Sequence, residues 1–161
     1  LLRPFHEFTG EWFWWGRGNA PQTYAAVWQH MVRYLREGRG LHNALWVFCP
    51  AAPTERSLRG YESYYPGDAY VDVVSFDRYD RGNDFEAGFA ADLDAIGGFA
   101  RAHGKVAAVA EVGRDLVGLP SAPSWRLVQA SMLAVLIATR PSVVRAATSC
   151  VSIARNFRAN S

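Results

Sequence analysis

Cysteine, clustered charge and long apolar segments are all scarce in this sequence of 161 residues. Its two cysteines, Cys49 and Cys150, cannot form a disulfide framework, and their apolar neighbours are typical of buried thiols. A formal net charge of +2 without a Lys/Arg cluster does not predict binding to nucleic acid. Residues 127–138 are apolar but too few to cross a bilayer. We therefore expect neither a nucleic-acid partner nor a membrane partner.

Targeting and metal-binding patterns are also missing. Leu1 and Leu2 are followed at once by Arg3 and Pro4, so we expect no signal peptide within this chain. The four histidines share no chelating spacing with one another or with a cysteine, which predicts no metal site and no cofactor. A hydrophobic content of 50% with 20% charged residues is instead typical of one soluble globular domain.

Apolar runs alternate with amphipathic stretches, which predicts an α/β fold with parallel strands. No glycine-rich phosphate loop follows a strand, so a nucleotide-binding fold is not indicated. The predicted strands are residues 1–5, 44–49, 70–76, 106–110 and, more weakly, 148–153. The predicted helices are residues 21–38, a segment from Asp84 to Gly104, and residues 125–139.

Polar residues end several of these strands, as they do in an eight-stranded (β/α)8 barrel, or TIM barrel. His6 and Glu7 end the first predicted strand, Asp77 and Tyr79 the third, and Glu111 the fourth. Five strands are too few for a barrel, which typically needs about 250 residues. The expected fold is therefore the C-terminal part of a TIM barrel, with parallel strands and helices outside.

Glu7 and Glu111 are the candidate catalytic pair. Two carboxylates at different strand tips suit glycosidic cleavage, because one can protonate the leaving oxygen while the other attacks the sugar or activates water. The apolar Phe8 beside Glu7 predicts a raised pKa for that carboxyl, as an acid requires. The alternative is that both are ordinary charges at strand ends.

Aromatic residues, 14% of the chain, are concentrated around Glu7 in "RPFHEFTGEWFWWG". An indole can stack on the C–H face of a sugar, and Trp12, near Glu7, is the better platform, unless the tryptophans only pack the core. Asp77 and Tyr79 alternate along a strand and so face one side, where the Tyr79 hydroxyl could hold a carboxylate ionised. Alternatively, "FDRYD" is simply a polar strand end.

Four blocks in order, "RPFHEFTGEWFWWG", "LHNALWVFCP", "YYPGDAYVDVVSFDRYD" and "HGKVAAVAEVG", resemble glycoside hydrolase family 26, the β-mannanase family. The resemblance covers about residues 3–113 and implies strands 4 to 8 of a (β/α)8 barrel. It implies that Glu7, ending strand 4, is the acid/base and that Glu111, ending strand 7, is the nucleophile. In such a retaining enzyme the two carboxyl groups lie about 5–5.5 Å apart.

The resemblance also implies roles for the surrounding residues. Tyr79 matches the tyrosine that hydrogen-bonds the nucleophile, His6 the histidine before the acid, and Trp12 the aromatic wall at the cleavage point. Asp77 matches a polar residue near the bound sugar. Arg155 matches the arginine of a Trp-Arg-Asn block in strand 8, although Ala154 replaces the tryptophan.

The resemblance implies an incomplete catalytic domain over residues 1–161. Strands 1 to 3 have no counterpart, and residues 127–161 are unlike the family, through divergence or an error in the reading frame. The implied activity is that of a secreted, retaining endo-β-1,4-mannanase, monomeric when full length, acting on mannan polysaccharides or oligosaccharides. The alternatives are a xylanase or mixed-linkage glucanase of the same family, or a non-catalytic sugar-binding remnant.

Overall fold

The computed structural model describes residues 1–16, 18–55, 60–80, 85–115, 127–130 and 134–136. Three parallel strands form its centre: β1 (Val47–Phe48), β2 (Val73–Asp80) and β3 (Val106–Asp115). Helix α1 (Pro21–Arg33), extended by a π-helical turn at Tyr34–Gly38, precedes β1. Helix α2 (Phe85–Ala102) lies between β2 and β3. Two short 3-10 turns, Tyr61–Tyr64 and Asp68–Tyr70, lie between β1 and β2.

Both helices form where apolar side chains recur at three- and four-residue spacing. In α1, Pro21 occupies the first turn, and the buried Tyr24, Trp28 and Val32 form one face. In α2 the corresponding buried face is Phe85, Phe89, Ile96 and Ala100. The predicted cap of α2, Asp84, lies outside the described residues. Neither helix, nor any other helix in the described part of the chain, is long and apolar enough to cross a membrane.

The predicted first strand is reduced to a single parallel bridge between Leu2 and Trp46. The Leu2 N–H donates to the Leu45 carbonyl at 2.8 Å, and the Val47 N–H donates to the Leu2 carbonyl at 2.8 Å. Pro4 has no N–H to continue this ladder. The chain then turns, with positive φ angles of 49° at Phe5 and 54° at Glu7.

Both longer parallel strands extend beyond their predicted ends. β2 continues through Asp77 and Tyr79, and β3 continues past Glu111, so these residues lie within strands rather than after them. The cause is pairing: β2 and β3 stay hydrogen-bonded from Val73↔Val106 to Asp80↔Arg114. A register shift between Phe76 and Asp77 brings Asp77 opposite Glu111.

The helix predicted over residues 125–139 is wrong for the part that the structure describes. β4 (Leu127–Ala130) and β5 (Ala134–Leu136) are strands that pair antiparallel with β3, on its edge away from β2. That edge carries backbone N–H and C=O groups that need partners, and backbone pairing overrides a weak helical preference. The expectation of parallel strands throughout therefore fails here. The predicted strand at 148–153 lies outside the described residues.

An aromatic core lies between the sheet and α1. Phe8, 1% exposed, packs with ring centroids 4.6 Å from Tyr24, 4.8 Å from Phe48 and 5.1 Å from Tyr64. These contacts join the N-terminal turn (residues 3–16) to α1, to β1 and to the loop between β1 and β2. Burial of Phe8 therefore fixes the position of its neighbour, Glu7.

Candidate active site

A polar cluster of Arg3, Asp77, Tyr79 and Glu111 lies on the sheet, with Glu111 at its centre. Glu111 lies in β3 opposite Asp77 of β2, and the Tyr79 hydroxyl, two residues further along β2, donates a hydrogen bond to Glu111 Oε2 at 2.8 Å. Burial raises the pKa of the Glu111 carboxyl, but the hydrogen bonds from Tyr79 and Arg3 and the charge of Arg3 outweigh it and hold the pKa below its usual value. Glu111 is therefore ionised at neutral pH.

Arg3 was not among the residues that sequence reasoning selected. Its Nη2 donates to Glu111 Oε1 and its Nη1 donates to Asp77 Oδ2, so one guanidinium pairs with both carboxylates. A signal was present, because an arginine inside an otherwise apolar predicted strand needs a charged partner when buried. The identity of that partner depends on strand register, which residue spacing does not reveal.

Asp77 is buried in the site. Its carboxyl is 1% exposed and accepts a hydrogen bond from the Cys49 thiol at Oδ1, 3.3 Å away, in addition to that from Arg3. Burial raises the pKa of Asp77 to about 7, and the charge of Arg3 only partly opposes it. Burial likewise raises the pKa of the Cys49 thiol, which stays neutral. Asp77 thus faces Arg3 and Cys49, and its predicted position near a bound sugar stays a prediction.

Glu7 lies on the turn that precedes α1. Its N–H donates to the Cys49 carbonyl at 2.7 Å, and its carbonyl accepts from the Gly10 N–H at 2.9 Å. Trp12 Nε1 donates to Glu7 Oε2 at 2.7 Å. A side chain at Gly10 would overlap the Trp12 ring, so glycine allows the indole to fold back toward Glu7. Trp12 remains 49% exposed, and its ring is accessible beside the carboxylate.

His6 is half-buried among aromatic rings. Its ring centroid lies 5.1 Å from that of Phe13, and its carbonyl accepts a hydrogen bond from Trp15 Nε1 at 2.8 Å. Phe13 and Trp15 stack on each other with centroids 4.4 Å apart. Burial and the nearby charge of Arg3 lower the pKa of His6, which keeps the imidazole neutral at neutral pH.

Six of the seven residues selected from the sequence fall in the described part of the chain. Glu111, Tyr79 and Asp77 are brought together on adjacent strands. Glu7, His6 and Trp12 share the N-terminal turn, which is hydrogen-bonded to Cys49 at the end of β1. Arg155 lies outside the described residues. Within the described ranges, no group of three or more His, Cys, Asp or Glu side chains could hold a metal ion.

Comparison with solved structures defines the class of fold. The catalytic domain of a Bacillus sp. JAMB-750 family 26 endo-β-1,4-mannanase is similar, with a TM-score of 0.65 and 38% identity over 73% of this chain and 33% of that domain. The chain therefore folds as part of a glycoside hydrolase TIM barrel, as predicted. More narrowly, it belongs to glycosyl hydrolase family 26, whose family model matches residues 1–115.

Curated relatives agree with that assignment. A mannan endo-1,4-beta-mannosidase of Bifidobacterium adolescentis is 33% identical over 122 residues, covering 71% of this chain and 12% of the relative. Endoglucanase H of Acetivibrio thermocellus is 38% identical over 86 residues, covering 50% of this chain and 9% of that protein. The chain thus spans only a small part of the length of these relatives.

Proposed function

We propose that this chain forms the C-terminal part, strands 4 to 8, of the catalytic domain of a retaining endo-β-1,4-mannanase. The observation that carries the proposal is the state of Glu111: ionised, with Tyr79 and Arg3 each donating to one of its oxygens. A nucleophile in glycoside cleavage must be an ionised carboxylate of fixed orientation. The name of the Bifidobacterium relative supports mannan as the substrate.

The reaction we propose has two displacement steps. In the first, Glu111 attacks the anomeric carbon of the mannosyl unit while Glu7 gives its proton to the departing glycosidic oxygen. In the second, Glu7 takes a proton from water, whose oxygen displaces Glu111 and restores the free carboxylate. Attack from the same face as the departed sugar retains the β configuration. We expect the two carboxyl groups to lie about 5–5.5 Å apart.

The surrounding residues have assigned parts in this proposal. Trp12 provides the aromatic platform for a sugar ring beside Glu7, and its indole N–H supports the Glu7 carboxylate. His6, neutral among its aromatic neighbours, helps to shape the same wall. Arg155 remains a proposed sugar contact from strand 8. We also propose that the whole protein is secreted and monomeric.

The test uses a complete barrel, defined as this 161-residue chain joined to the three β/α units that precede strand 4 in family 26 relatives. The complete barrel should hydrolyse mannan with retention. Glu111→Ala should abolish turnover, and azide should restore activity on an activated aryl mannoside with inverted product. The exposed Glu37→Ala, on the π-helical turn, is the control and should be unaffected. Residual activity in Glu111→Ala above a few per cent would contradict the assignment.

A second candidate substrate is β-glucan, because one relative is named an endoglucanase. The same preparation should therefore be offered mannan, mixed-linkage glucan and xylan, with reducing ends counted. Faster release from glucan than from mannan would move the proposal to that substrate. Binding of mannan without any hydrolysis would favour a non-catalytic sugar-binding remnant.

A further inference from the structure

Arg3 makes two ion pairs with one guanidinium, and each uses a different nitrogen. Nη1 pairs with Asp77 and Nη2 with Glu111, whose side chains are 0% and 22% exposed, while that of Arg3 is 24% exposed. Because Asp77 and Glu111 are directly opposite in the ladder between β2 and β3, the planar fork spans the two strands. The N-terminal turn is thereby joined to the nucleophile strand through a single side chain.

Among the residues that the structure describes, each oxygen of Glu111 has one donor, and the two donors come from different elements. Arg3, from the N-terminal turn, donates to Oε1, and Tyr79, from β2, donates to Oε2 at 2.8 Å. One hydrogen bond would leave the carboxylate free to rotate about its terminal bond. Two donors on opposite oxygens fix its plane, and such orientation is a large part of catalytic rate.

Asp77 gives Arg3 a fixed anchor. Its Oδ1 accepts a hydrogen bond from the Cys49 thiol, whose sulfur also accepts from Arg3 Nη1 at 3.5 Å, so Arg3 contacts one fully buried carboxyl and one partly exposed carboxylate. A substrate contact would not explain why the more deeply buried partner is needed. A bridge that stiffens Glu111 does explain it, because a guanidinium held at one end by a buried group cannot swing away.

We propose that Arg3 is a positioning residue, which orients the Glu111 carboxylate and keeps it ionised, and that Asp77 is the buried anchor of that arginine. The inference rests on the proposed function, in which Glu111 is the nucleophile. It predicts that loss of Arg3 lowers kcat and raises the pH at which Glu111 ionises. It predicts little change in KM, since the described hydrogen bonds of Arg3 go to Asp77, Glu111 and Cys49 of the protein itself.

Several charged or titratable groups face this pair and set its pH response. From the N-terminal turn, the charge of His6 lowers the pKa of Glu111, and the charge of Glu7 raises the pKa of Asp77. Cys49 follows β1, and Tyr79 lies in β2. Besides Arg3 these groups are His6, Glu7, Cys49 and Tyr79. Cys49 stays neutral, and the charge of a protonated His6 lowers the pKa of Glu111 less than the charge of Arg3 does, so removing Arg3 removes the main positive charge acting on Glu111.

The experiment compares Arg3→Gln and Arg3→Lys in the complete barrel, with the exposed Arg101→Gln of α2 as the matched control. Arg3→Gln should lower kcat by roughly 10²-fold, the scale of a misplaced reacting group. Its acidic limb of kcat/KM should move up by about one unit or more, because a nearby cation depresses a carboxyl pKa by 1–3 units. Arg101→Gln should change neither quantity.

Arg3→Lys separates charge from geometry. Lysine keeps the charge but lacks the planar fork, so the acidic limb should stay near its normal position while kcat still falls. This variant also decides the matter if Arg3→Gln does not fold, which circular dichroism will reveal. A normal kcat in Arg3→Lys would overturn the orienting role. An equal shift of the limb in both variants would overturn the role of the charge.

The proposed function and this inference fail in different ways. If the unmodified complete barrel hydrolyses no β-glycan, or if Glu111→Ala keeps its turnover, the proposed function is wrong whatever Arg3 does. If the barrel is active and Glu111→Ala is inactive, but Arg3→Gln keeps normal kcat and a normal acidic limb, only the inference about Arg3 is wrong.

Discussion

Glu7 occupies a backbone conformation that an L-residue rarely adopts. Its φ is 54°, and that of Phe5, two residues earlier, is 49°. Such left-handed positions cost of order 1–3 kcal/mol and persist where the surroundings enforce them. Here the enforcement comes from buried Phe8 and from Thr9, whose hydroxyl both donates to the Ala51 carbonyl and accepts from its N–H. This strained backbone sets the direction of the Glu7 side chain, which we propose as the acid.

Replacing Glu7 by glycine should therefore leave a more stable protein than replacing it by alanine. Glycine adopts positive φ without a Cβ penalty, so we expect a difference of about 1 kcal/mol in the free energy of unfolding. Urea denaturation of both variants of the complete barrel measures it. The same pair at exposed Glu11, which has no positive φ, should show alanine as the equal or better residue. Alanine more stable than glycine at position 7 would contradict a strained turn.

Trp12→Ala should weaken mannooligosaccharide binding by roughly 1–3 kcal/mol, on the scale of ring stacking on aromatic side chains. The ring is 49% exposed beside Glu7, where a sugar can reach it. Titration calorimetry on the Glu111→Ala background measures affinity without turnover. Trp14→Ala removes an even more exposed indole, 73% accessible, which packs edge-on against Phe5 and Trp15, and it serves as the comparison. An equal loss in both variants would argue against a specific platform at Trp12.

Asp77 should make stability depend on pH in the opposite sense to a salt-bridged surface carboxylate. Its pKa is raised to about 7 by burial, so between about pH 4 and 7 the folded state holds a proton that the unfolded state releases, and in that range Arg3 donates its hydrogen bond to a neutral carboxyl rather than to an ion. Stability from this group is complete at low pH and declines as pH rises through about 7. Asp77→Asn should remove that decline, and thermal unfolding of both proteins across this range tests it. Parallel pH profiles would show that Asp77 stays ionised when folded.

Residue type and order were enough to select candidates for the site, because glutamate, tyrosine and tryptophan side chains carry a chemistry of their own. The Tyr79 hydroxyl donates to Glu111 in the structure, while the catalytic roles of both residues stay predictions. Arg3 could not be selected in this way. Its partners are determined by the register shift after Phe76, which depends on how two distant segments pair.

At the scale of elements, a buried ion pair joins β2 to α2. Arg78, 1% exposed, donates from Nη1 to Asp92 Oδ2 at 2.8 Å, and Asp92 Oδ1 accepts from both the N–H and the hydroxyl of Thr54, at 2.9 and 2.6 Å. A side chain at Gly88 would overlap the Arg78 guanidinium, so the helix approaches the arginine closely at that glycine. These contacts thereby hold β2, α2 and the loop after β1 together.

Asp92→Ala should destabilise the complete barrel by at most about 3–5 kcal/mol, since it removes the fully buried partner of Arg78 and leaves the ion pair of Arg78 with the more exposed Glu55. Asp94→Ala, an exposed position on the same helix, controls for the change of residue type and should cost far less. Urea denaturation gives both values. If the two substitutions cost the same, the Arg78–Asp92 pair contributes little.

The sequence predicts the elements unevenly for a physical reason. Both α1 and α2 follow from the spacing of their own apolar residues, which is local information. The ends of β2 and β3 do not, because a strand continues for as long as a neighbour pairs with it. Residues 127–130 and 134–136 were misjudged as helix because apolar runs rich in Leu, Val and Ala are compatible with either state. There the free edge of β3 decided the outcome.

In the whole molecule, the two edges of the parallel sheet differ in how their backbone groups are paired. Beyond β3, the antiparallel β4 and β5 satisfy the edge that a closed barrel would pair with a parallel strand. Beyond β1, the described residues provide the one bridge from Leu2 to Trp46. Large apolar side chains are exposed near that side, including Leu2 at 39% and Leu45 at 52%. An edge of this kind invites pairing with another chain.

We therefore expect the 161-residue chain, expressed alone, to be inactive on mannan and poorly soluble, although Glu7 and Glu111 are both present. The three β/α units added in the complete barrel would cover the β1 side and complete the shell that holds catalytic groups within about 0.5 Å. Mannan hydrolysis and sedimentation of the two proteins measure the difference. Leu45→Lys in the chain alone should reduce aggregation without restoring activity, because a lysine at an exposed edge opposes pairing but supplies no missing strand. A soluble monomer with normal turnover would show that residues 1–161 already form a sufficient catalytic unit.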